Sequence, residues 1–142
     1  GLNTLIRINR LKLEEQQRQL AELEGTSKVF RSQIDAMDES IRRESEIAER
    51  NPDTAFTVGG FVQATLARRG TLKTSLAEIE AQVNRLRDAV ATAFREIKRF
   101  ELIMERRAEA SRHQAGRRER KVEDETAMAI FRRGQRSAAG QA

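Results

Sequence analysis

The chain contains no cysteine, no tryptophan and no tyrosine, and a single proline in 142 residues. Without cysteine there is no disulfide frame, no thiolate metal site and no thiol nucleophile, which fits a reducing compartment. Aromatic residues make up 4% of the sequence, so a globular core of the usual kind is not expected. Long apolar runs are missing too. The longest, Ala127 to Phe131, falls far short of the about 20 residues that span a bilayer. No charged-then-apolar leader opens the chain, and the expectation is a protein without a secretion signal or direct membrane insertion. His113 is the one histidine, so a metal cluster would have to be built from carboxylates alone; it is expected to be a solvated surface residue.

What the sequence has in abundance is charge and helix formers. Charged residues reach 35%, with 27 Lys and Arg against 22 Asp and Glu. Between Leu72 and Met104 apolar residues recur every seven positions: Leu76, Val83, Val90, Ile97 and Met104 form one set. Leu72, Ile79, Leu86, Ala93 and Phe100 form the other. Two interleaved sets of this kind are the a and d seam of a left-handed coiled coil, and such a seam needs a partner. The first third of the chain supplies one. It runs through Leu13, Leu20, Ser27, Ile34, Ile41 and Ala48, interleaved with Gln16, Leu23, Phe30, Met37 and Glu44, and extends back through Leu2, Ile6 and Asn9. Gly25 is a soft point in that helix rather than a break.

Asn51-Pro52-Asp53 interrupts the pattern, because the residue before a proline leaves helical angles and Asn and Asp favour turns. Thr54 or Thr57 is a candidate cap for the next helix. A turn centred near Asp53 pairs residues whose numbers add to about 107 and sets Leu2 near Glu105. The second seam loses its apolar character at that same place, after Met104. The agreement predicts an all-α fold: a long antiparallel two-helix coiled-coil hairpin with an overhanging C-terminal helix. The expected organisation is a single hairpin over 1–133 (helix 2–50, turn 51–56, helix 57–133) and a disordered tail over 134–142. A hairpin that closes its own seam is expected to be a monomer alone.

Nothing in the sequence carries catalysis. Gly59-Gly60 lacks the Lys and Ser/Thr of a phosphate-binding loop. The acids Glu101 and Glu105, or Glu119 and Glu123, share helix faces, but acid–base work needs a cleft to shift their pKa values. No enzyme activity and no cofactor are expected. From Glu105 to Arg136 the helix carries 10 basic and 6 acidic residues. Basic residues there alternate with acids and lack interleaved aromatics, which favours a protein-binding face over nucleic acid. Phe56 and Phe61, beside the turn, either seal the hairpin tip or form an exposed contact.

The order of these pieces resembles the flagellar FliJ family. The resemblance rests on the opening run from Leu5 to Glu15 and on the aromatic restart around Phe61. It rests also on Phe94-Arg95-Glu96-Ile97-Lys98-Arg99-Phe100-Glu101 and on the closing Arg118-Glu119-Arg120-Lys121-Val122-Glu123-Asp124-Glu125. It implies a stalk of the type III protein export apparatus, cytoplasmic and peripheral to the inner membrane at the flagellar basal body. The implied partners are the export ATPase hexamer, which the open end enters and stimulates, an export gate membrane protein, and export chaperones. For the ring contact it singles out Arg7, Arg10, Arg106, Arg107, Arg117, Arg118, Arg120 and Lys121, and for the gate Phe56 and Phe61. The absence of Tyr and Trp and the Gly59-Gly60 pair depart from the family pattern. A generic coiled-coil adaptor or scaffold, and a basic helical nucleic-acid-binding protein, are the alternatives.

Overall fold

The computed structural model describes residues 1–141. Helix α1 spans Leu2–Arg50, one 3-10 turn covers Pro52–Thr54, and helix α2 spans Ala55–Gln141. At about 1.5 Å per residue α1 is roughly 75 Å long and α2 roughly 130 Å. The chain reverses at Asn51, whose φ of −129° and ψ of 88° lie outside the helical region. Pro52 then begins the 3-10 turn, where its missing N–H costs nothing. Thr54 Oγ1 donates to the Asn51 carbonyl at 2.8 Å, so this hydroxyl ties the turn together rather than capping α2.

The helices pack along the heptad seam. Ile6, Leu13, Ser27 and Ile34 of α1 are buried, as are Val58, Thr65, Val83 and Ile97 of α2. The remaining apolar seam positions (Leu20, Leu23, Phe30, Met37 and Ile41; Leu72, Leu76, Ile79, Leu86, Val90, Ala93, Phe100 and Met104) are half-buried. Two helices shield a seam from one side only, so this burial is close to what a hairpin can achieve. Towards the tip the seam takes in polar residues. Glu44 is half-buried there, and Thr65, 2% exposed, has a hydroxyl without a hydrogen-bond partner.

The two edges flanking the seam differ. Arg10–Glu101 (2.6 Å), Glu24–Arg87 (3.0 Å) and Arg31–Glu80 bridge the helices along one edge. Each of these residues immediately follows a seam position. Along the middle of the opposite edge the residues just before the seam are the uncharged Gln19, Thr26, Gln33 and Ser40, facing Ser75, Gln82 and Ala89, while Lys12, Glu96 and Arg68 carry charge towards its ends. In these three bridges the paired numbers add to 111, and in Asp38–Arg69 (2.6 Å) to 107. Exposed pairs are worth about 1 kcal/mol at most, so their part is to fix register.

Beyond about residue 109, level with the start of α1, the second helix continues without a partner among the described residues and runs to Gln141. The expected disordered tail from Gly134 is helical as far as Gln141, and Ala142 lies outside the described residues. The reason is local: residues 135–139 hold no proline, and Ala138 and Ala139 are the strongest helix formers.

Candidate functional site

A rod has no cleft, and its features of interest lie at its ends. At the open end, α1 begins level with about residue 109 of α2, and the rest of α2 stands alone. Residues 105–140 are exposed apart from Gly116. In sequence the basic residues here alternate with acids. On the helix they separate, because each residue advances about 100°. Arg106, His113, Arg117 and Arg120 fall in one stripe, and Arg107, Arg118 and Lys121 in the stripe beside it. Glu105, Glu109, Glu119 and Glu123 take the other side, together with Arg112, while Asp124 and Glu125 close the two basic stripes. Arg106, Glu109, Arg112, His113, Gly116 and Arg120 line a shallow open groove.

The contribution of α1 to this end is mixed. Arg7 is exposed. Arg10 is engaged with Glu101, and that hydrogen bond, helped by Lys98, holds the Glu101 carboxyl below the ordinary carboxylate range. The structure also exposes Leu5, Ile8 and Leu11, 47%, 44% and 59% accessible, on a second stripe turned away from the seam. Sequence reasoning missed this stripe. The three-residue spacing was its signal, overshadowed by the heptads alongside.

At the tip, Phe56 is 95% exposed and Phe61 38%, so neither is sealed inside the hairpin. Ile47 and Leu66 are exposed near them. At this end the seam mixes Val58, Val62 and Ala48 with the polar Glu44, Thr65 and Arg69, while Phe56, Ile47 and Leu66 face out. Midway along the rod, a notch of about 510 Å³ opens between the helices beside Ser27, whose small side chain leaves the seam thin. Its charged lining, Glu24 with Arg87 and Arg31 with Glu80, is cross-paired between the helices. Among the described residues no three His, Asp or Glu side chains gather as metal ligands. Nor is any helix among them long and apolar enough to cross a membrane.

An all-helical hairpin of this form, with a paired seam and an overhanging second helix, defines a two-helix coiled-coil rod. The family model described as "Flagellar FliJ protein" matches residues 1–136, and the chain belongs to the FliJ family. Membership implies a structural component of the flagellar export apparatus. Two relatives, each named "Flagellar FliJ protein", come from Caulobacter vibrioides strains NA1000 / CB15N and ATCC 19089 / CIP 103742 / CB 15. The chain is 24% identical to each over 102 residues, covering 72% of this chain and 73% of the relative. No solved structure matches.

Proposed function

We propose that the chain is the stalk of the flagellar type III export machinery, placing its open end in the ring of the export ATPase and its tip against the export gate. In this reading it works in the cytoplasm, peripheral to the inner membrane at the basal body, and helps handle export chaperones. The observation that carries it is the overhang. A long helix that the first helix does not cover, with most of its basic residues between Arg106 and Lys121 on one side, suits the narrow opening of a ring of subunits. A single isolated helix of this polarity is marginal in water, so an enclosing partner would also stabilise it. Arg106, Arg107, Arg117, Arg118, Arg120 and Lys121 would meet acidic groups of the ring, with Arg7 and Arg10 at its entrance. Phe56 and Phe61 would enter an apolar surface of the gate protein.

The test is the hydrolysis rate and oligomer size of the cognate export ATPase, measured alone, with the full chain, and with a chain ending at Met104. The stalk reading expects the full chain to raise both and the truncated chain to raise neither. If the full chain changes neither quantity, the stalk role is lost and an adaptor role remains.

A further inference from the structure

The two ends without an internal partner carry opposite patterns. At the tip, from Glu44 to Ala67, the chain has four acidic residues and one basic, a net charge of −3. Directly behind it Arg68, Arg69 and Lys73 form a basic block. On the outer half of the overhang, after the basic Arg117, Arg118, Arg120 and Lys121, the acidic run Glu123-Asp124-Glu125 is followed by Arg132, Arg133 and Arg136, with no acid from Thr126 to Gln141. Exposed apolar side chains mark the tip (Ile47, Phe61 and Leu66) and separate the two overhang blocks (Met128, Ile130 and Phe131).

We propose that these ends cover each other in an antiparallel, two-fold dimer of this chain, with α2 of one copy beside α2 of the other. One register sets the apolar overhang residue Phe131 against Phe61 and the acidic run against Arg68, with Phe56 level with Arg136. With the two-fold axis near Glu96, residues of α2 whose numbers add to about 192 stand level, since α2 is one continuous helix. Phe131 then lies beside Phe61 of the second copy, apolar against apolar. Asp124 lies beside Arg68 of the second copy and Glu119 beside its Lys73, while Arg69 stays paired with Asp38 inside its own hairpin. Arg132, Arg133 and Arg136 reach the first turns of the second copy's α2, where Glu49 and Asp53 lie. The centre of α2 is itself at about residue 98, so the register overlaps nearly the whole helix.

The charge order selects this arrangement over others. A parallel pair sets each block against its own sign. An anionic lipid surface repels the acidic tip. A head-to-tail chain of copies makes the same contacts, but the two-fold satisfies both ends at once and closes. The hairpin folds without a second copy, whose part is to cover the exposed ends until other partners claim them. The dimer and the stalk role stand or fall separately, because mass in solution decides the first and ATPase stimulation the second.

Sedimentation velocity on the full chain, from low to high micromolar concentration, tests the proposal. At low salt the mass should rise from one chain to two, and added salt should return it to one. Glu49→Arg with Asp53→Arg, and separately Arg132→Glu, Arg133→Glu and Arg136→Glu, should each remain one chain at concentrations where the parent is paired. An equal mixture of the two variants should recover the two-chain mass, and unchanged helical circular dichroism excludes unfolding as the cause. Because the chain has no cysteine, Thr57→Cys mixed with Gln135→Cys should give a disulfide-linked pair; within one copy these positions are roughly 115 Å apart. A single-chain mass at every concentration overturns the dimer, as does a two-chain mass that the charge reversals leave intact.

Discussion

Thr65 is the most buried side chain of the hairpin, and its hydroxyl has no partner. Valine has nearly the same shape without the desolvated oxygen, and a buried polar group left unsatisfied costs about 1–3 kcal/mol. Thr65→Val is therefore expected to stabilise the protein by about 1 kcal/mol, read as a higher denaturation midpoint. Gly25 offers a second gain. It sits inside α1, and an added Cβ meets nothing within 4 Å. Gly25→Ala should add about 1 kcal/mol through helix propensity alone. The Glu101 carboxyl is held below its ordinary range by Arg10, and a depressed carboxylate contributes stability at pH values above its unfolded pKa. That contribution disappears as pH falls through the folded pKa. Acid titration of unfolding should show a weaker acid-side loss in Arg10→Ala than in the parent, with the two curves drawing together at low pH.

At the scale of the helices, the seam was legible in the sequence because a repeat of seven is a property of spacing alone. Leu13, Ile34, Val83 and Ile97 could be placed without knowing what they touch, and all four are buried. The charged and uncharged edges were not legible. Arg31 and Glu80 are far apart in the chain, and their meeting depends on a register that the turn sets to within a few residues. The overhang's faces were hidden for a different reason, since a linear count mixes acids and bases that a helical rotation separates. The tail was expected to be disordered because its residues are small and polar; the structure continues the helix to Gln141 across Gly134 and Gly140, with Ala138 and Ala139 between them. Burial now ranks the consequences of substitution. Ile97, 5% exposed, should cost about 2–5 kcal/mol when cut to alanine. Phe56→Ala, at 95% exposure, should leave the denaturation midpoint unchanged while weakening whatever partner holds the tip.

For the whole molecule, cohesion and exposed surface are divided along the length. The apolar seam ends at Met104, so removing everything after it should leave the denaturation midpoint nearly unchanged. Circular dichroism should lose helical signal only in proportion to the residues removed. A large drop in midpoint would show that the overhang supports the hairpin after all.

The unequal lengths of the two helices have a mechanical consequence. Two rods joined side by side resist bending far more than one, so stiffness falls abruptly where α1 ends. Flexure should collect in the first turns of the lone helix, near Arg106 to Ala110, like a coupling between a rigid shaft and a seated end. Such a coupling lets the two ends take up misaligned seats while an axial push or a twist still passes from one to the other.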